Sequence, residues 1–163
     1  MNKLVLSPRL YFSYRQFHIS DKNVRFSGCT WTEEHSAQGF ARHNSAVNFG
    51  TILEFGEADV TVNQSEYKPS DQYERVIAVP FLVTSGTINI EGPESNEPRS
   101  FSLAPGNYRL VAAQRVLGDD EEAIDLFFER LEVLPAKSEI IKKDDALNPP
   151  TRLIETAMIA GDN

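Results

Sequence analysis

Tyr73-Glu74-Arg75-Val76-Ile77-Ala78-Val79-Pro80-Phe81-Leu82-Val83 decides the fold class. Tyr73, Arg75, Ile77, Val79 and Phe81 share one parity, while Val76, Ala78, Pro80 and Leu82 share the other, and both sets are largely apolar. A two-residue period built from β-branched and aromatic side chains predicts a strand covered on both faces. Pro80 has no backbone N–H, so a bulge, or release from one neighbouring strand, is needed there.

The period of two recurs on either side. Leu10 to Ile19 reads as one aromatic strand, Ala46 to Phe55 as a second that Gly56 ends, and Val60 and Val62 mark a third. Thr30 precedes Glu33 at capping-box spacing, which predicts a helix from Trp31 to about Arg42 or His43, with Gly39 as its weak point. Downstream, Ser85-Gly86 turns into Thr87–Glu91, and Gly92–Pro98 is a polar loop. Arg99, Phe101 and Leu103 alternate into Pro105-Gly106, and Tyr108, Leu110 and Ala112 continue beyond, which reads as a hairpin. Asp119–Glu122 reads as an acidic loop. Ala123 to Leu134 fits a strand better than a helix, because an edge among so many strands must be covered.

About seven or eight short strands with polar turns predict a mainly β fold, an antiparallel β-sandwich with one short helix. The sandwich domain is expected over 1–135. Residues 136–163, with Lys142-Lys143-Asp144-Asp145 and Pro149-Pro150, read as a flexible C-terminal extension with room for a short docked piece. The expected core is Phe12, Tyr14, Phe17, Trp31, Phe49, Leu53, Val62, Ile77, Val79, Phe81, Ile88, Ile90, Phe101, Leu103, Tyr108, Leu110, Leu126 and Phe128.

Composition narrows the function. The 163 residues are 40% hydrophobic, with ten Phe and five Tyr, enough to close a core. The net charge is −8, from 24 acidic and 16 basic residues. That balance argues against direct nucleic-acid binding, which needs a basic face. Cys29 is the only cysteine, so no intrachain disulfide forms. The N-terminal apolar run is too short for a signal peptide, and no stretch approaches a membrane span. A cytoplasmic location is expected.

Chemical motifs are sparse. His18, His35 and His43 show no metal-ligand spacing, since a continuous helix would separate the last two by about 12 Å of rise. No nucleophile elbow or phosphate loop occurs, and no cofactor is expected. Cys29 beside a helix start could pair with a histidine as a hydrolase, but a half-buried structural thiol is the commoner situation. Carboxylates are the remaining signal. Six of them face a single lysine between residues 54 and 74, and Asp119, Asp120, Glu121, Glu122 and Asp125 have no cation among them. Brought together, such loops would speed encounter with a basic partner.

Four segments carry a family likeness: Ser13-Tyr14-Arg15-Gln16-Phe17; Trp31-Thr32-Glu33-Glu34 leading to Gln38-Gly39-Phe40-Ala41; Tyr73 to Phe81; and Ser100 to Leu110. In order and spacing they resemble the competence protein J family, inhibitors of DNA-entry nucleases, over about residues 8 to 134. The resemblance implies a protein that is not an enzyme, and that binds and blocks a metal-dependent non-specific nuclease, or a related toxin, in an immunity-like role. The candidate contacts are Trp31, Glu34, Glu57, Asp59, Asp119, Asp120 and Glu121. Carboxylates would approach the nuclease metal or its phosphate-binding arginines, and the aromatic ring would supply affinity. The alternative is a non-catalytic module for another ligand such as carbohydrate, for which Tyr11, Phe17 and Tyr67 would have to form one exposed row.

Overall fold

The computed structural model describes residues 3–6, 9–24, 28–94, 98–133 and 137–157. Among these the chain forms β1 (Lys3–Val5), β2 (Leu10–Phe12), β3 (Gln16–Asp21), α1 (Glu33–Gln38), β4 (Phe40–His43), β5 (Ala46–Gly50) and β6 (Gly56–Asn63). Then come β7 (Arg75–Val83), β8 (Thr87–Glu91), β9 (Arg99–Ser102), β10 (Gly106–Gly118), β11 (Glu121–Leu131) and β12 (Glu139–Lys142). One sheet runs β1-β6-β11-β10-β7-β12, with β2 also on β6, and the other runs β4-β5-β3-β8-β9. All pairings are antiparallel except β6 with β11, which are parallel. Leu10, Phe12, Val60, Ile77, Val79, Phe81, Leu110 and Phe128 of the first sheet share one buried cluster with Phe17, Ile19, Val47, Phe49, Ile88, Ile90 and Phe101 of the second. The mainly β, two-sheet sandwich with one short helix is therefore what the chain adopts.

β7 is covered on both faces, as its sequence predicts. Its even positions Val76 and Ala78 enter a second cluster with Tyr67, Tyr73, Val111 and Ala113 on the outer side of the sheet. Pro80 sits past the end of β12, whose pairing stops at Ala78. The outward Leu82 N–H reaches Asn44 O at 3.0 Å instead. Pro80's missing donor thus falls on the unpaired stretch of an edge.

Four local expectations change. Leu10 to Ile19 is two strands in different sheets, because Tyr14 and Arg15 both take left-handed backbone (φ 56° and 57°). Their turn is closed by Gln16 N–H to Ser13 O at 3.2 Å. Tyr14 is consequently 70% exposed rather than in the core. Trp31 and Leu53, also expected inside, are only half-buried. The helix starts at Glu33 and stops at Gly39, whose φ of 86° forms the left-handed cap. Its N-cap is Thr32, with His35 instead of Glu closing the capping box. The strand from Ala46 ends at Gly50, and Gly56 begins β6 instead of ending β5. Finally, β9 and β10 are not a hairpin: β9 pairs with β8 in one sheet and β10 with β7 and β11 in the other. Pro105-Gly106 carries the chain between sheets.

β11 is a strand, as preferred, although Glu121 and Glu122 belong to it and only Asp119-Asp120 form the turn. The ends of the expected strand and domain at Leu134 and Pro135 lie outside the described residues. From 137 to 157 the C-terminal segment packs against the sandwich. β12 extends the first sheet, and Leu147 joins the core. Gln38 exchanges hydrogen bonds with the Ile154 backbone (2.9 and 2.8 Å). Arg42 donates to Glu155 O at 2.8 Å, and the His35 ring meets Thr156 O at 3.1 Å.

Candidate functional site

The acidic residues gather at the parallel β6–β11 pair. Glu121 lies opposite Glu57, and Ala123 opposite Asp59. Because alternate residues share a face, Glu57, Asp59 and Glu121 all project from the outer side while Ala58, Val60, Glu122 and Ile124 turn inward. Three carboxylates this close would repel. Arg9 holds them together, with Nε 2.8 Å from Asp59, Nη1 2.9 Å from Glu121 and Nη1 3.9 Å from Glu57. One cation for three anions leaves the patch negative, and all four side chains are about a third to a half or more exposed. Asp119 and Asp120 form the exposed tip of the β10–β11 hairpin beside it. Gly56 makes this junction possible. A Cβ there would lie 2.3 Å from Asp120 O, and Glu57 N–H donates to that same oxygen at 2.9 Å.

Glu122 lies under this rim on the core side and is fully buried. Its Oε1 accepts the Leu53 N–H at 2.5 Å, pinning the 51–55 loop. Burial pushes its carboxyl up to about 7, against hydrogen bonds from the loop backbone and the charge of Arg75. Gln114 and the Ile52 backbone also act on the carboxylate, while Gln114 Oε1 is a buried acceptor with no donor among the described residues. A protonated Glu122 would have a proton to offer that oxygen.

The 51–55 loop connects the rim to a surface cleft of about 570 Å³ lined by Tyr14, Arg15, Gln16, Trp31, Arg75 and Leu147 among others. Trp31 is fixed by its Nε1 donating to Gln16 Oε1 at 3.0 Å, and that oxygen also accepts from Asn48 Nδ2 at 2.6 Å. Glu34 is exposed in the first turn of α1, where the backbone N–H at its own position and the Thr32 hydroxyl hold its carboxyl below the ordinary range. The candidate residues therefore fall into two groups: Glu57, Asp59, Asp119, Asp120 and Glu121 on the rim, and Trp31 and Glu34 beside the cleft. Arg9, which organises the rim, was not singled out from sequence, since a lone arginine ahead of the first long strand gives no signal of three future partners.

Other expectations are corrected. Cys29 is buried, its N–H bonded to Asn48 Oδ1 at 2.9 Å, and burial pushes its thiol up to about 11. An activated thiol needs the opposite shift. His18 and His35 are buried. His18 pairs with Glu91 at 3.0 Å, and His35 serves the helix cap. Among the described residues no group of three or more His, Cys, Asp or Glu could hold a metal ion, and no helix is long and apolar enough to cross a membrane. Phe17 is fully buried and Tyr67 nearly so, leaving Tyr11 alone of the aromatic row proposed for carbohydrate.

A two-sheet β-sandwich with an inert thiol and an arginine-braced acidic rim is the class of protein this geometry defines. The chain belongs to the competence protein J (ComJ) family, whose model matches residues 9–133. It is 31% identical over 102 residues to the DNA-entry nuclease inhibitor of Bacillus subtilis (strain 168), spanning 63% of this chain and 76% of that protein. The crystal structure of ComJ from Bacillus subtilis, described as inhibitor of the DNA degrading activity of NucA, aligns with a TM-score of 0.68 at 24% identity. That alignment covers 80% of this chain and 96% of the other. The structure of Crocagin biosynthetic gene J aligns at 0.50 and 15% identity, covering 80% and 100%. At these identities the two structures support the fold.

Proposed function

We propose that this protein is a non-catalytic inhibitor that binds a metal-dependent, non-specific nuclease in the cytoplasm and blocks its active site. The observation that carries the reading is the rim: Glu57, Asp59 and Glu121 held on one face by Arg9, with Asp119 and Asp120 alongside. A nuclease site that holds DNA must present cations to phosphate, and a braced cluster of carboxylates offers those cations the same charge pattern. The brace matters because carboxylates fixed before contact lose less freedom on binding. Family membership and the likeness to a DNA-entry nuclease inhibitor support the same reading.

The test measures plasmid degradation by the DNA-entry-type nuclease of the same cell as the full-length protein is added. Activity should fall stoichiometrically. Glu57→Gln, Asp59→Asn and Glu121→Gln combined should raise the concentration for half-inhibition by about tenfold or more, since hot-spot contacts each contribute over ~1 kcal/mol. The wild-type effect should also weaken with salt, because the rim is exposed. Undiminished degradation at micromolar protein would sink the reading.

A further inference from the structure

We propose that the cleft between the Tyr14-Arg15 turn and Trp31 is a second binding site, taking an apolar side chain accompanied by a carboxylate from a protein partner. It is distinct from the acidic rim, and Arg15 is the exposed cation on its wall.

Backbone conformation gives the first argument. Two consecutive left-handed residues make the mirror-image turn that Asn-Gly fills with least strain, and every other side chain bears a conformational cost there. Tyr14 and Arg15 occupy it instead. Neither is in the core: Tyr14 is 70% exposed and Arg15 is exposed as well. The Arg15 backbone bonds Glu54 O and the Thr51 N–H at 2.8 Å each, which explains the chain path, but burial of these two side chains does not offset the cost. Costly backbone of this kind persists where the presented side chains are used.

Chemistry of the walls gives the second. The cleft volume of about 570 Å³ suits one or two side chains. Trp31, Tyr14 and Leu147 supply apolar surface, and no carboxylate occurs among its described lining residues. Of its two arginines, Arg75 is buried and its charge is met by Asp144, which accepts from Nε and Nη2 at 2.9 and 3.0 Å. Arg15, exposed on the turn, donates one N–H to Ile52 O at 3.3 Å, which leaves further guanidinium N–H groups for an acceptor. An apolar group fills the wall and a carboxylate satisfies the guanidinium.

Identity of the lip residues points to a protein as the occupant. Tyr, Arg and Trp are the three side chains most enriched among interface hot spots, and Trp31 is already immobilised by Gln16. Together with the rim, the cleft gives the surface two separate points of contact, joined by the 51–55 loop. A partner that meets both, with cations at the rim and a carboxylate at Arg15, is held in one orientation.

Trp31 is the only tryptophan, so its emission reports the cleft directly. Full-length protein is titrated with phenylpropionate and with phenylpropionamide. The acid should shift emission saturably and bind about tenfold more tightly than the amide, and Arg15→Gln, at an exposed position, should erase that preference. Tyr14→Ala with Arg15→Ala should raise the half-inhibitory concentration against the nuclease by about tenfold. The absence of a saturable shift, equal binding of acid and amide, or a preference that survives Arg15→Gln overturns the chemistry. Unchanged inhibition by the double variant overturns the protein occupant. If the wild type itself does not inhibit, the nuclease reading falls alone, and the phenylpropionate arm still decides the cleft.

Discussion

Replacing Glu122 with Gln should make the protein's stability less dependent on pH. Glu122 is fully buried, and its carboxyl is pushed from the ordinary 4.5 to about 7. Between those values the native state keeps a proton that the unfolded chain has released. Stability is therefore fully present below about pH 4.5 and is lost as pH rises through about 7. Each pH unit across that window corresponds to about 1.4 kcal/mol, so the loss amounts to about 3 kcal/mol. Gln has the same shape and cannot ionise. Its carbonyl can accept the Leu53 N–H, and its amide can donate to Gln114 Oε1. Urea unfolding of wild type and Glu122→Gln across this range measures the difference directly, because every other titrating group cancels. The variant should match wild type near pH 4 and exceed it by about 3 kcal/mol near pH 8, with equal denaturant slopes. A constant offset at all pH values, of either sign, would refute the argument that Glu122 is held neutral.

Three further outcomes rest on the same geometry. Tyr14→Asn with Arg15→Gly should raise stability by about 1–2 kcal/mol, a few degrees in Tm by calorimetry, while weakening nuclease inhibition. Gly56→Ala should destabilise by about 2–4 kcal/mol in urea melts, because its Cβ would overlap the Asp120 backbone where φ is 152°. Arg75→Met should cost about 3–5 kcal/mol by leaving Asp144 without its partner, and adding Asp144→Leu should recover at least half of the loss.

The strands were legible because burial on a sheet writes a period of two, and β7 and β11 run close to where that period places them. Sheet membership was not. Period two is the same in both sheets, so nothing in Arg99–Leu110 says that Pro105-Gly106 crosses the sandwich. Tyr14 and Arg15 misled because two left-handed residues send the chain into the other sheet, and neither is a glycine to warn of it. Glu122 resembles its acidic neighbours, yet one step of alternation puts it in the core. The rim was half legible: charge density picked out Glu57, Asp59 and Glu121, but their closeness depends on a parallel pairing across some sixty residues and on Arg9. The packing of 137–157 was hidden for another reason. Gln38, Arg42 and His35 grip backbone carbonyls there, which every residue possesses and no composition reveals.

That C-terminal grip separates family resemblance from self-sufficiency. The matched region closes at residue 133, but three polar side chains inside it, all at least nine-tenths shielded, take partners from residues 154–156. A chain stopped at Val133 would strip Leu147 from the interior, bare the outer edge of β7 and leave a guanidinium and an amide with water in place of their backbone partners. Each lost hydrogen bond forfeits about 0.5–1.5 kcal/mol net, more at the charged guanidinium, in addition to the lost burial of Leu147. The tail is thus a closing seam.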